Sequence, residues 1–329
     1  MPAPPLRDAL WRKRLHALES AWTPAREGDR EGIHQLRVAS RRICEVLSVA
    51  GDAGHPRRAR RMRHRVRTLG RTLGPVRDRD VSLLLLSSIE EAHPESGPAV
   101  QIVRRQLERE RAALGGEVGA YLDSIEPAEF VRKLGCAVGA GSDERGAHAQ
   151  ADPRASDARW QISLAARLVR RARQLDRAVD RAGGLYARDR LHAVRVAVKK
   201  LRYILELGHD TRLWRWGAAL RSLKEVQEGL GQLQDREALL GHVRDMQSHA
   251  AGRAPASGAL DELTRSLDAA ARQYHAEFLS RRARLARLCS IVRRQVSQAM
   301  PIRRVPARAA SRRLAETPAV HSRPRAAKR

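Results

Sequence analysis

Apolar residues recur along most of the chain at spacings of three and four, which is the periodicity of an amphipathic α-helix. Leu, Ala, Arg, Glu and Gln dominate these stretches, and all of them favour helix. The sequence has no convincing strand pattern. Turn-forming clusters interrupt the periodicity at residues 23–29, 51–56, 93–98, 139–157 and 249–259. The pattern therefore predicts an all-α protein.

Two motifs occur twice, in the same order. Residues 33–51, IHQLRVASRRICEVLSVAG, recur as LHAVRVAVKKLRYILELGH at residues 191–209, an offset of 158. LGPVRDRDVSLL begins at Leu73 and LGQLQDREALL begins at Leu230, an offset of 157. Because order and spacing both match, the motifs predict a duplicated helical unit.

The duplication and the breaks together predict the domain organisation. We expect two tandem helical bundles of about four or five helices each, at residues 5–138 and 157–290, joined by a linker at 139–156. A hydrophobic content of 42% is enough for a core in most of the chain. Residues 301–329 contain nine basic residues, one acidic residue and four prolines, which predicts a disordered basic tail.

The repeated helix has two contrasting faces. On a helical wheel its first copy has one apolar stripe, made of Leu36, Ala39, Ile43, Val46, Leu47 and Ala50. The opposite side carries His34, Arg37 and Arg41, which lie within about 60° of one another because spacings of three and four return to one face. The second copy places His192, Arg195 and Lys199 there. Further basic residues lie beside these faces: Arg42, Lys200 and Arg202.

The helix that follows the first copy, at residues 57–74, continues this pattern. One of its faces carries Arg60, Arg63, Arg67 and Arg71, and the other carries Met62, Val66, Leu69 and Leu73. The equivalent helix of the second copy is less basic, since Arg221 and Lys224 are joined by Glu225 and Glu228. We therefore predict two similar but unequal anion sites.

The charge balance identifies the kind of partner. Lys and Arg number 64 against 37 acidic residues, a formal net charge of +27, which favours a polyanionic partner. Like charges at helical spacing repel one another, and a bound anion would relieve that repulsion. One charged stripe is typical of any surface helix. Its duplication, with no acid interleaved between His34 and Glu45, favours a phosphate-binding role.

The histidines fit phosphate better than metal. His34 and His192 could donate hydrogen bonds to phosphate oxygens, and the neighbouring arginines disfavour a cation, so we expect no metal site and no cofactor. Asp78 and Asp235 could orient these basic residues, but we interpret them as helix caps or surface ion pairs. Three widely spaced cysteines offer no disulfide framework. With no leader or membrane-spanning segment in the sequence, we expect a cytoplasmic protein.

The paired motifs resemble the two halves of a CHAD domain, the conserved histidine α-helical domain. The resemblance covers most of residues 5–290. It implies two four-helix bundles related by a pseudo-twofold axis, a basic cavity that binds inorganic polyphosphate, and association with polyphosphate granules. The basic helix positions of the family fall on His34, Arg37, Arg41, Arg42, His192, Arg195, Lys199 and Lys200.

Three functions are compatible with these residues. The leading hypothesis is non-enzymatic polyphosphate binding, because a long cationic groove suits a ligand with charge on every unit and no sequence to read. The alternative is sequence-nonspecific nucleic-acid binding through phosphates, although aromatic residues, at 3%, are too few for a stacking platform. A histidine-dependent phosphatase or phosphotransferase is disfavoured because no P-loop or metal–carboxylate cluster accompanies the motifs.

Overall fold

The computed structural model describes residues 6–53, 56–138, 153–249 and 254–300. These residues form ten α-helices and one short 3₁₀-helix at Pro94–Ser96, and none of them forms a strand. The all-α prediction is confirmed. The helices are α1 (Leu6–Ser20), α2 (Trp22–Arg26), α3 (Arg30–Ala53), α4 (Pro56–Ala92), α5 (Gly97–Asp123), α6 (Pro127–Ala137), α7 (Pro153–Ala182), α8 (Arg188–Asp210), α9 (Gly217–His249) and α10 (Ala254–Ala299).

The two motifs lie on α3 and α4 in the first half and on α8 and α9 in the second. All six residues of the predicted apolar stripe of α3 are buried, as are Met62, Val66, Leu69 and Leu73 on α4. The helical wheel therefore identified the packed faces correctly. Because each helix buries one stripe against its neighbours, the opposite stripe is fixed in position.

Several helix ends differ from the predicted boundaries. Helix α4 does not end at residue 74 but continues through Pro75 to Ala92, and Arg37 Nη1 donates to the carbonyl of Gly70 at 2.8 Å in the turn before the proline. Proline removes only one backbone donor from a helix of this length. Helix α7 begins at Pro153, inside the predicted linker, because proline is favourable in a first helical turn.

Two other helices extend beyond the limits predicted for them. Helix α10 runs to Ala299, past the predicted limit at residue 290. Helix α2 occupies part of the predicted break at residues 23–29, and it is held there by buried Trp22 and Ala25. The tail at residues 301–329 and most of the linker lie outside the described residues.

The halves share their hydrophobic cores. The first core contains Ile43 of α3, Leu168 of α7 and Ile204 of α8, and it includes residues from both halves throughout. The second core joins the distal part of the α4–α5 hairpin to that of the α9–α10 hairpin, through Leu86, Val103, Val243 and Leu263 among others. Each hairpin therefore covers apolar surface that the other would leave exposed to water.

A pair of equivalent contacts reflects the internal duplication. Arg30 Nε lies 3.6 Å from Asp80 Oδ1 in the first half, and Arg188 Nε lies 3.4 Å from Glu237 Oε2 in the second. The two arginines are offset by 158 residues and the two acids by 157, as in the sequence motifs. Asp80 and Glu237 are both buried. The last acid of each repeated motif therefore ties the start of α3 or α8 to the following helix.

We predict that Gly32→Ala destabilises the fold. A Cβ at Gly32 would lie 2.6 Å from the backbone nitrogen of Ala25 and 2.6 Å from Cβ of Pro24, and that backbone has no room to move away. Overpacking of this kind costs about 1–3 kcal/mol, which denaturant unfolding would measure. Gly116 in α5 is the matched control because a Cβ there meets nothing within 4 Å, so Gly116→Ala should stabilise by about 0.5–1 kcal/mol. Equal effects of the two substitutions would contradict the packing of α2 on α3.

Candidate anion-binding site

Basic residues of α3 and α8 meet where the two halves pack together. Helices α3 and α8 are in contact, and Arg37 and Arg41 of α3 lie close enough to Lys199 of α8 to lower its pKa. Arg41 also lowers the pKa of Arg195. We call these four residues, Arg37, Arg41, Arg195 and Lys199, the central cluster. All four side chains are half-buried.

Burial and mutual repulsion change the acid–base behaviour of the central cluster. Burial, followed by the charges of the three arginines, lowers the pKa of Lys199 to about 6. The pKa of Arg37 falls to about 10, mainly through burial and the charge of Arg41. A charge removed from water and placed beside like charges is disfavoured, so both side chains hold their protons less tightly than usual.

Two members of the central cluster have no partner in the described part of the chain. Arg41 and Lys199 form neither a hydrogen bond nor an ion pair with any described residue. The other two members of the cluster are hydrogen-bonded. Arg37 donates to the Gly70 carbonyl, and Arg195 Nη1 donates to Gln234 Oε1 at 2.6 Å. A half-buried basic side chain without a partner is costly to keep charged unless a ligand supplies the counter-charge.

The histidines are placed unequally. His34 is half-buried, and its pKa is lowered by burial and then by Arg77, with smaller contributions from Arg41 and Arg37. It therefore lies at the edge of the central cluster. His192 is exposed at the start of α8, and no described interaction links it to the other bases. His34 and His192 are equivalent in the sequence repeat, but their surroundings in the structure differ.

Asp78 and Asp235 lie beside the central cluster and not at helix ends. They sit within α4 and α9, so neither is a helix cap, whereas the surface ion pair that was the other interpretation is confirmed for Asp78. Asp78 Oδ1 lies 3.9 Å from Arg37 Nη2. Burial raises the pKa of Asp235, against the opposing effects of Arg195 and Lys199. These carboxylates offset part of the positive charge.

Sequence reasoning missed Arg77. Its charge lowers the pKa of both His34 and Arg37, which places it at the edge of the central cluster. The equivalent residue of the second half is Gln234, the acceptor for Arg195. The repeated motif could have identified this position, because the residue directly before the aspartate is Arg77 in LGPVRD and Gln234 in LGQLQD.

Two flanking groups contain acids that neutralise the bases. Glu206 lies 3.3 Å from Arg42 Nε and 3.3 Å from Arg202 Nη1, and both of these bases were predicted to bind phosphate. On the other flank, Lys200 lies near Arg67 and near Glu45, which Arg171 contacts at 3.0 Å. Arg42 and Lys200 are equivalent by the repeat, so each half supplies the acid that faces the base of the other.

The remaining predicted bases lie further along α4 and α9. Arg63 donates to Ser48 Oγ at 2.9 Å, and Arg71 donates to Thr68 Oγ1 at 3.1 Å. Lys224 Nζ lies 3.7 Å from Glu228. The exposed residues of this set are Arg60, Arg67, Arg71, Arg221 and Lys224. No described interaction links Arg60, Arg71, Arg221 or Lys224 to the central cluster, so their role in binding stays a prediction.

The composition of the described residues bears on metal, membrane and thiol chemistry. They contain no group of three or more His, Cys, Asp and Glu side chains that could hold a metal ion. None of their helices is long and apolar enough to cross a membrane. All three cysteines are free, and burial raises the pKa of the Cys44 thiol to about 11. A thiol with a raised pKa is a poor nucleophile at neutral pH.

Comparison with known families identifies the fold. The family model for the CHAD domain matches residues 9–244, which is more than half of the chain. The chain belongs to the CHAD family. The CHAD fold is also seen in the crystal structure of the CHAD domain from the plant Ricinus communis, which is 22% identical with a TM-score of 0.60 over 85% of this chain and 90% of that one. A search of curated proteins gave no match.

The CHAD match includes both copies of the basic helix. The matched region contains α3 and α8 complete and reaches into α9. The similarity to the plant structure concerns the fold alone. The CHAD fold brings the two copies of the basic helix into contact, and a cluster with cations from both halves is the result.

Proposed function

We propose that this CHAD protein binds inorganic polyphosphate, without catalysing a reaction, at the central cluster. The observation that carries the proposal is the pair of half-buried basic side chains Arg41 and Lys199, which come from different halves and have no partner among the described residues. Five bases, the central cluster and Arg77, face two carboxylates there. An anion at this position would satisfy the unpaired donors and relieve the repulsion between them.

The chemistry of polyphosphate suits this arrangement. Each unit of the chain carries a negative charge and oxygen acceptors, so a row of cations can bind successive units without reading a sequence. Guanidinium groups give bidentate contacts to phosphate, and release of counterions supplies much of the affinity. The flanking groups around Glu45 and Glu206 are closer to neutral, so the central cluster is the strongest anion site of this surface.

Nucleic acid shares the phosphate chemistry but lacks a stacking platform here. Trp216 is buried, and half-buried Trp214 packs near it with ring centroids 6.3 Å apart. Both tryptophans lie against the backbone of Gly208 and belong to the first core. Bases of a single strand have no aromatic face to stack on at these residues. We therefore propose a preference for polyphosphate, in the cytoplasm and at polyphosphate granules.

A competition at fixed salt tests the ligand and the role of the tail together. Labelled long-chain polyphosphate bound to the full chain should be displaced by unlabelled polyphosphate at lower concentration than by DNA, RNA or heparin. Deleting residues 301–329 removes eight net positive charges, so every affinity should fall modestly while the ranking stays the same. A ranking headed by DNA or RNA would contradict the proposal, and loss of the preference on truncation would place selectivity in the tail.

A further inference from the structure

A cavity of about 400 Å³ lies between α7 and α8, away from the central cluster. Helix α7 contributes Gln174, Arg177, Ala178 and Arg181, whose spacing of three, one and three places them on one helical face. Helix α8 contributes Asp189, Arg190 and Ala193. On the wheel of α8 these residues are rotated away from Arg195 and Lys199, so the cavity opens on a different side of that helix.

Three arginines are among the residues that line this cavity. Arg177, Arg181 and Arg190 are exposed, and none of them forms a hydrogen bond or ion pair with a described residue, so their guanidinium groups are available to a ligand at the cavity. Arg171 donates to Oε1 of Gln174 at 2.9 Å, which leaves the Gln174 amide nitrogen as a further donor at the cavity. Asp189 is the one carboxylate among the lining residues. The lining therefore presents three cations, one amide donor and one acid.

The equivalent position of the first half has different surroundings. The residue that corresponds to Arg190, at an offset of 158, is Gly32. Gly32 is packed against Pro24 and the backbone of Ala25. The repeat therefore does not reproduce Arg190, and the duplicated basic helix does not account for the charge at this cavity.

We propose that this cavity is a second anion site that binds a short oligophosphate, such as pyrophosphate or tripolyphosphate, free or as the phosphate tail of a nucleotide. Three guanidinium groups around one concave space match several linked phosphates better than a single monoanion, since each can make paired hydrogen bonds to phosphate oxygens. The volume is within the range of small-molecule sites. No aromatic residue lines the cavity, so recognition depends on the phosphates and not on a base. This inference does not rest on the proposed function.

Calorimetric titration with tripolyphosphate tests the second site in the full chain carrying Arg37→Ala and Arg41→Ala, which weaken the central cluster. We expect saturable binding of one tripolyphosphate per chain. Adding Arg177→Ala and Arg181→Ala should raise the Kd at least tenfold, because two charge-assisted contacts are lost. Asp189→Asn should lower the Kd about threefold, because it removes the one repelling carboxylate. Arg173→Ala is the matched control, since Arg173 is exposed on α7 but outside the cavity lining.

Three results would overturn the second site. The first is absence of saturable tripolyphosphate binding in the Arg37→Ala, Arg41→Ala background. The second is a Kd that changes less than twofold when Arg177→Ala and Arg181→Ala are added. The third is weaker tripolyphosphate binding in the Asp189→Asn variant. ATP should compete with tripolyphosphate and AMP should not; binding of ATP without tripolyphosphate would show that the ligand class is wrong. Long-chain polyphosphate binding to the otherwise unaltered chain is measured separately, so failure here leaves the central cluster untouched.

Discussion

Replacing Arg37 and Arg41 together by Ala is expected to weaken polyphosphate binding roughly 100-fold at low salt. Each residue would make a charge-assisted contact of about 1.5 kcal/mol or more with phosphate, and about 1.4 kcal/mol corresponds to a factor of ten. The slope of log K against log salt should flatten by roughly 1.4–1.8, because two fewer phosphates are neutralised. Titrations at several salt concentrations measure both quantities.

The control for this variant removes the same charge elsewhere. Arg221→Ala with Lys224→Ala deletes two exposed cations of α9 that no described interaction links to the central cluster. We expect a change of only a few fold there. Arg37 also donates to the Gly70 carbonyl, so Arg41→Ala alone, which breaks no described hydrogen bond, separates binding from folding. A folded double variant with an unchanged salt slope would place the site elsewhere.

Polyphosphate binding should take up a proton near neutral pH. Lys199 has a pKa of about 6 in the free protein, so it is mostly neutral at pH 8, and a bound polyanion raises that pKa by favouring the charged form. Affinity should therefore rise as pH falls from 8 to 6, by up to roughly tenfold per pH unit for this group. Lowering the pH also protonates His34, which acts in the same direction.

Calorimetry in buffers of different ionisation enthalpy measures the protons taken up per polyphosphate bound. Lys199→Met should abolish most of the uptake at pH 8 and flatten the pH dependence, while His34→Ala should affect only its lower end. Affinity that is constant between pH 6 and 8, without proton uptake, would contradict the position of Lys199. In the ligand-free protein the unfolded chain binds this proton more tightly, so the free energy of unfolding should rise with pH between about 6 and about 10.5.

The sequence predicted best which side of a helix is buried and which side is basic. The spacing of Leu36, Ile43 and Leu47 fixed the buried side of α3, and that in turn fixed where Arg37 and Arg41 point. A period of 3.6 residues carries this information within any single helix. The helical fold and the central basic positions were therefore accessible from the sequence alone.

The pattern within a helix does not report which other helix lies across from it. Arg42 and Arg41 are equally basic in sequence, but Glu206 of the other half lies against Arg42, whereas no described acid forms an ion pair with Arg41. Asp78 was interpreted as a helix cap or a surface ion pair, because acids among many arginines usually neutralise or cap. Once Pro75 is inside α4, the following turn continues on the helix, and Asp78 faces Arg37. Contacts between segments that are distant in sequence therefore determine which basic side chains are neutralised by an acid.

The shared second core links assembly of the protein to creation of its binding site. Leu86 and Val243 are buried in the core that the two hairpins share, and the packing of the halves also brings Arg41 to Lys199. A ligand that spans both helices thus stabilises the joined state and has no comparable site on the separated halves. Polyphosphate would act as a noncovalent clamp, and the repulsion it cancels is a force that otherwise pushes the halves apart. Resistance of the whole chain to unfolding would then depend on how much polyphosphate surrounds it.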